Sequence, residues 1–208
     1  MPAPCLAPAT LSWRNAASPT LGCERSLHPL LQLQPGEAGS ASSLSASRLA
    51  AIEAAAAAFS LHLPAALSLR RQFLCAGLGA GTHAEGEAGD AGAHAQAFAA
   101  AAASFLAASG VPHAPPAAAG PASPHLFLNA TINGRPVHWL HCVLPYGSPV
   151  LPSPALRKHV AALTAAYGPG ACLFLCGFSR DLDLGSSVLL LNPGPMDLPQ
   201  HLLLPFGM

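Results

Sequence analysis

Imidazole and thiol side chains are concentrated in the middle of the chain, where they could act as metal ligands. His125, His138 and His141 follow one another closely, and Cys142 comes directly after them. These groups favour Zn²⁺ or Mn²⁺ over Mg²⁺. In a strand, neither His138 nor Cys142 shares a face with His141. Only the side chains of His125 and His141 could converge on one ion, whereas a zinc site requires three or four protein ligands. We therefore expect no metal site, with Zn²⁺ or Mn²⁺ on this pair as the alternative.

Acidic side chains are missing from the region around these histidines. No Asp or Glu occurs between Asp90 and Asp181, and Lys158 is the only lysine in the chain. Mg²⁺ is a hard cation that takes oxygen ligands, often carboxylates. The sequence thus argues against a magnesium-dependent catalytic centre here. Asp181 and Asp183 belong to a polar turn, which we expect them to stabilise rather than to hold an ion.

Length and composition restrict the class of protein. The chain has 208 residues and a mass of 20.9 kDa, which suits one domain of ordinary size or two small ones. Its 44 Ala and 34 Leu far outnumber its 6 Val and 2 Ile, the residues that typically fill sheets. Charged residues make up 9%, and nine basic residues balance nine acidic ones. This excludes a highly charged nucleic-acid-binding module, a collagen-like fibre and a coiled coil. The balanced net charge therefore gives no support for nucleic acid as a partner.

The first half of the chain is poor in strand signals. Residues 1–42 alternate Pro, Ser, Gly and Leu without a sustained period, and we expect them to be disordered, low-complexity sequence. Residues 43–92 form an Ala-rich helical region that ends in a Gly/Ala/His loop. The predicted elements are helices over 45–63, 65–78 and 93–109, then a Pro/Ala linker over 111–122.

The second half carries strand and turn signals. Asn133-Gly134 is a strong two-residue hairpin turn between two strand-like runs. Ser153-Pro154 suits the cap and first turn of a helix, which Gly168-Pro169-Gly170 ends. The predicted elements are strands over 126–132 and 135–144, a helix to Tyr167, and strands over 171–178 and 187–191. This order of helix, hairpin, helix and two strands predicts an α/β layered protein.

A series of motifs runs through this second half. They are Ser123-Pro124-His125, Val137-His138-Trp139-Leu140-His141-Cys142-Val143, Tyr146-Gly147, Tyr167-Gly168-Pro169-Gly170, and Cys176-Gly177-Phe178 followed by Asp181-Leu182-Asp183. In this order and at nearly this spacing they resemble the codanin-interacting nuclease family, whose members carry a Thr-Pro-Asp motif and a restriction-endonuclease-like PD-(D/E)XK core. The resemblance covers about residues 93–200. It implies a nuclease-fold domain over 93–208.

The resemblance implies Mg²⁺-dependent cleavage of nucleic acid, but the residues for that chemistry are replaced. Such nucleases use two carboxylates on a hairpin to hold Mg²⁺, which supplies a hydroxide nucleophile, with a lysine nearby. His125 stands in place of the Asp of Thr-Pro-Asp, and His141 and Val143 stand in place of the Glu and Lys of the Glu-x-Lys motif. Ser148 replaces a further Asp. No catalytic residue of the motif is intact, and we expect no cofactor.

The sequence therefore favours a catalytically degenerate relative of this family. By resemblance it would act with a codanin-like partner in nucleus and cytoplasm. A weak metal-dependent phosphodiesterase or nuclease and a non-enzymatic protein-interaction module are the alternatives.

Other features receive simpler interpretations. We expect Trp139 to be a core residue rather than a base-stacking platform, and the six cysteines to be free thiols. No apolar stretch is long enough to span a membrane. The N-terminus is also compatible with an organelle transit peptide.

Overall fold

The structured elements form a mixed α/β fold around one sheet. The computed structural model describes residues 8–16, 45–58, 66, 88–116, 123–149, 154–198 and 202. In chain order the elements are β1 (Ala9–Leu11), α1 (Ala46–Ala58), α2 (Ala88–Ala108), β2 (His113–Ala114), β3 (Leu126–Ile132), β4 (Arg135–Val143), α3 (Pro154–Tyr167), β5 (Gly170–Phe174) and β6 (Val188–Leu191).

The sheet is mostly parallel, with strand order β1-β3-β4-β5-β6 and with β2 also paired to β3. β3 and β4 form an antiparallel hairpin, whereas β4, β5 and β6 are parallel. α3 provides the crossover that the parallel strands β4 and β5 require. β5 is buried along its whole length, as its continuous apolar sequence predicts for a strand covered on both faces.

The β3–β4 turn has the geometry that its sequence predicts. Asn133 has φ 51° and Gly134 has φ 77°, the left-handed pair that a two-residue hairpin turn needs. The turn sets the register, in which Ile132 pairs with Arg135 and, further along the strands, Leu126 with Leu140. The residue before β3 therefore lies beside the second half of β4.

Helices cover both faces of the sheet with apolar side chains. On one face, Leu140 and Cys142 of β4 pack in a cluster with Phe98 and Leu106 of α2. This arrangement follows from the alternation of side chains along a strand.

The opposite face of β4 packs against α3. Trp139 and Val143 of the strand share a second cluster with Val160 and Leu163 of the helix. The odd-numbered residues in this part of β4 therefore point towards α3. This alternation decides which side chains can meet at the candidate site.

Residues 8–16 differ from the disorder expected for residues 1–42. β1 pairs in parallel with β3, and Trp13 is buried. The edge of β3 offers unpaired backbone groups, and burial of the indole stabilises the added segment. The sheet therefore includes residues outside 93–208. Residues 1–7 and 17–42 of the predicted disordered region lie outside the described residues.

Smaller differences concern the ends of elements. α2 begins at Ala88, inside the predicted loop, and β2 lies in the predicted linker. β5 ends at Phe174, earlier than predicted, because Gly177 turns the chain with φ 78° and donates its N–H to the Phe174 carbonyl. The helix predicted over 65–78 falls outside the described residues apart from Ala66. Within the described part of the chain, no helix has the length and apolarity to cross a membrane.

Candidate functional site

The two histidines singled out by the sequence lie side by side. His125 immediately precedes β3, and its N–H donates to the Leu140 carbonyl at 3.0 Å. His141 belongs to β4. The ring centroids of His125 and His141 are 4.7 Å apart and their planes are inclined by 39°. The register of the hairpin therefore positions both rings.

A third imidazole, that of His159 in α3, also packs on His141. Their ring centroids are 4.4 Å apart and their planes are inclined by 47°. We call His125, His141 and His159 the histidine cluster. His159 belongs to none of the motifs described above and is one of ten histidines in the chain. Helical spacing could have found it, because His159 lies beside the buried Val160 and four residues before the buried Leu163, on the side of α3 facing the sheet.

Hydrogen bonding defines the state of the His125 ring. Its Nδ1 accepts from the Cys142 N–H at 3.0 Å, so the proton of the neutral ring is on Nε2. The Nδ1 of His141 is buried and makes no hydrogen bond within the described residues. A charge on the His141 ring would therefore find no partner at that nitrogen, which makes protonation costly.

Burial keeps these rings uncharged. Burial, together with the neighbouring imidazoles of His125 and His159, lowers the pKa of His141 to about 3. The pKa of His125 is lowered too, first by burial and then by the proximity of His159. His125 and His141 are therefore neutral at pH 7. His141 is too weak a base for general-base catalysis, which works best when the catalytic pKa lies near the working pH.

The cluster does not assemble a metal site. Among the described residues, no group of three or more His, Cys, Asp or Glu side chains is arranged to hold a metal ion. Cys142 packs into the core on the α2 side of the sheet, and burial raises the pKa of its thiol. His138 is exposed. The alternation along β4 separates both side chains from His141.

The remaining positions that the resemblance assigns to catalysis carry no charge. Val143 lies in the apolar cluster beneath α3, and Ser148 is buried.

Asp181 and Asp183 are exposed. Asp183 Oδ1 accepts from the Gly185 N–H at 2.7 Å, an arrangement typical of a carboxylate that stabilises a turn.

Trp139 is a structural residue. It is fully buried, and its indole N–H donates to the Gly168 carbonyl at 2.8 Å. A Cβ at Gly170 would lie 2.1 Å from atoms of the indole ring, so only glycine allows this packing. Gly168, with φ 80°, also turns the chain after α3. The Gly-Pro-Gly segment therefore ends a helix and accommodates Trp139.

The motifs around Gly147 and Phe178 also pack together. These two residues form an isolated parallel bridge, in which Gly147 donates to the Gly177 carbonyl at 3.0 Å and accepts from the Ser179 N–H at 2.8 Å. A Cβ at Gly147 would lie 2.8 Å from the Phe174 ring and 2.9 Å from Phe178. The glycine is needed because two segments meet here closely.

Two of the basic side chains are engaged with backbone carbonyls. Arg157 in α3 donates to the Asp183 carbonyl at 2.9 Å, and Arg135 in β4 donates to the Ser186 carbonyl. Both contacts hold the loop before β6 against the rest of the fold. These guanidinium groups therefore serve the structure rather than marking a phosphate-binding surface.

Comparison with protein families, with curated proteins and with solved structures gives no significant match to this chain. The functional assignment therefore depends on the residues themselves and on their geometry.

Proposed function

We propose that the chain is a catalytically degenerate member of the codanin-interacting nuclease family, with a restriction-endonuclease-like core, and that it binds a codanin-like partner in nucleus and cytoplasm without cleaving nucleic acid. The proposal depends chiefly on one observation. His125 and His141, which stand at the two carboxylate positions of the motif, lie next to each other with ring centroids 4.7 Å apart.

The convergence of these two positions supports the alignment with the motif. The carboxylates of such a nuclease must face a shared Mg²⁺ ion from the two strands of a hairpin. His125, directly before β3, and His141 in β4 lie side by side in this hairpin, as two positions that share an ion would have to. Because the Asn133-Gly134 turn sets this register, the support lies in the presence of both motif positions on one hairpin rather than in their contact alone.

The order of elements also supports the proposal. α2, the β3–β4 hairpin, α3 and β5 supply the helix, hairpin, helix and strand that the resemblance implies. The most specific motifs are those that hold this scaffold together, as the packing of Trp139 on Gly170 illustrates. Selection for the scaffold would retain these motifs even after catalysis was lost.

The side chains at the site support the loss of activity. A partly buried His141 with a pKa of about 3 supplies neither the negative charge that Mg²⁺ requires nor a competent base. Val143, at the lysine position, offers only a methyl surface to the core.

A cleavage assay tests the proposed loss of activity. The full-length protein is incubated with labelled single- and double-stranded DNA in Mg²⁺ and in Mn²⁺, and we expect no cleavage above a blank without protein. Cleavage that His125→Ala or His141→Ala abolishes would show that the protein is an active nuclease and would overturn the proposal.

A restoration experiment tests the assignment of the positions. We expect the triple variant His125→Asp, His141→Glu and Val143→Lys to bind Mg²⁺ in calorimetry, because its two carboxylates would share a hairpin. The matched control carries His125→Asn, His141→Gln and Val143→Met, which have similar size without charge. Circular dichroism checks that both variants fold. If the folded triple variant binds Mg²⁺ no better than the control, these positions are not those of the motif.

Association with a purified codanin-like protein tests the partner. We expect a complex in size-exclusion chromatography that persists in a metal chelator, because the interaction would need no ion. Absence of any complex at micromolar concentrations would remove the partner from the proposal while leaving the assignment of the fold intact.

A further inference from the structure

The first described segment of the chain lies in the fold as an extended peptide in a groove. Residues 8–16, here called the N-terminal segment, contain β1 and then cross to the end of β6. Trp13 is its only buried residue. We call the surface that receives it the asparagine groove, defined by Asn133, Asn192, Gly194 and Phe105.

Two asparagine side chains of the groove pair with the backbone of the segment. Asn133 Oδ1 accepts from the Trp13 N–H at 2.7 Å, and Asn133 Nδ2 donates to the Trp13 carbonyl at 2.8 Å. Asn192 repeats this pattern, with Oδ1 accepting from the Ala16 N–H at 2.8 Å and Nδ2 donating to the Ala16 carbonyl at 3.1 Å. Each amide thus satisfies both backbone groups of one residue, as a neighbouring strand would.

The segment returns this pairing with one asparagine of its own. Asn15 Nδ2 donates to the Leu190 carbonyl at 3.0 Å, and Asn15 Oδ1 accepts from the Asn192 N–H at 2.9 Å. These bonds occupy one backbone group in β6, an edge strand of the sheet, and one in the residue directly after it. Apart from the side chains of Trp13 and Asn15, the segment is held through backbone groups, which any extended peptide can offer.

Gly194 allows the backbone of the segment to approach closely. A Cβ at this position would lie 2.6 Å from the Arg14 carbonyl oxygen and 2.8 Å from the Ala16 nitrogen. Both are backbone atoms, which cannot move aside as a flexible side chain would. The groove is thus shaped for a peptide backbone at this point.

The side-chain specificity of the groove lies in its tryptophan pocket. Trp13 is 3% exposed, and its ring makes an edge contact with Phe105 at a centroid distance of 5.2 Å. The indole N–H donates to the Asn192 carbonyl at 2.8 Å. An aromatic anchor with a satisfied polar group is typical of the residue that dominates a peptide interface.

We propose that the asparagine groove is a binding site for an extended, tryptophan-bearing segment of a partner protein, and that the chain's own N-terminal segment is its internal competitor. The occupant is inferred from what the groove already holds: an extended backbone clasped by amides, with one indole in an apolar pocket. The inference does not depend on the nuclease resemblance.

Covalent attachment determines the strength of this competition. Binding of a tethered segment is intramolecular, with an effective concentration on the order of 1 mM. A free peptide of similar intrinsic affinity therefore binds the wild-type protein weakly, because only a small fraction of grooves is open. Removing the indole of the tethered copy opens the groove without altering its walls.

Fluorescence anisotropy with a labelled peptide of residues 8–16 tests the proposal. We expect the full-length Trp13→Ala variant to bind this peptide at least ~10-fold more tightly than the wild-type protein does, because its own segment no longer fills the pocket. Adding Gly194→Ala to Trp13→Ala should abolish this gain, since the new methyl group collides with the peptide backbone. The matched control peptide carries Ala in place of Trp and should not bind.

The outcomes separate a binding site from an integral strand. If folded Trp13→Ala shows no saturable binding, or binds as tightly with Gly194→Ala, the proposal is wrong. If Trp13→Ala does not fold, the wild-type chain with a protease site inserted after residue 30 is cleaved instead. Exchange of the released fragment for labelled peptide, with the fold retained, supports the proposal. Unfolding on cleavage, or no exchange, overturns it.

Discussion

Acidification should destabilise the protein through His141. The unfolded chain protonates His141 at the usual pKa of 6.5, whereas burial lowers its pKa in the folded state to about 3. Between these two pH values His141 is protonated in the unfolded state but not in the folded state. The contribution of neutral His141 to the free energy of unfolding is therefore fully present above pH 6.5 and decreases as the pH falls towards 3. Each pH unit below the unfolded-state pKa costs about 1.4 kcal/mol. Since pH 4.5 lies about two units below 6.5, His141 should lower the free energy of unfolding by about 3 kcal/mol at that pH.

Urea denaturation at pH 7.5 and pH 4.5 measures this effect. We expect the free energy of unfolding of the wild-type protein to fall by about 3 kcal/mol more than that of His141→Gln, which has nothing to protonate at this position. The comparison uses the change with pH, so any constant cost of the substitution cancels. His138→Gln, at an exposed position of the same strand, serves as the matched control and should follow the wild type. Equal pH dependence in the wild type and His141→Gln would refute the reasoning.

Other predictions concern the packing around Trp139 and the buried thiols. Gly170→Ala should lower the free energy of unfolding by about 3 kcal/mol, because its methyl group collides with the Trp139 indole. Gly110→Ala, which meets no atom within 4 Å but has φ 70°, should cost only about 1 kcal/mol, and equal shifts in melting temperature would contradict this. Cys142 and Cys172 are buried, and burial raises the pKa of Cys172 to about 12. Neither should react with a thiol-specific disulfide reagent at pH 8 in the native state, as mass spectrometry would show, and rapid labelling without unfolding would disprove their burial.

Elements with local signals could be predicted from the sequence. The Asn133-Gly134 turn requires a left-handed conformation that these two residues adopt readily, and its position specifies the hairpin. Pro154 marks the first turn of α3, and Tyr167 is its last residue, as predicted. These signals act over a few residues, so the rest of the fold has little influence on them.

The candidate site could be predicted only in part. The adjacency of His125 and His141 follows from the hairpin, which is encoded locally. His159 comes from another element, and its contact with His141 depends on how α3 crosses the sheet. The sequence contains the buried face of α3 but does not specify the part of β4 beneath it.

The sequence by itself determined which chemistry is available: imidazoles at His125 and His141, and no carboxylate between Asp90 and Asp181. It also determined the hairpin that joins these two histidines, because turn residues restrict backbone angles locally. Only the tertiary structure decided that His159 completes the cluster and that Trp13 and Asn192, far apart in the chain, lie in hydrogen-bond contact. Such contacts depend on the packing of whole elements, and the composition of residues 8–16 contains no trace of the strand edge that orders them.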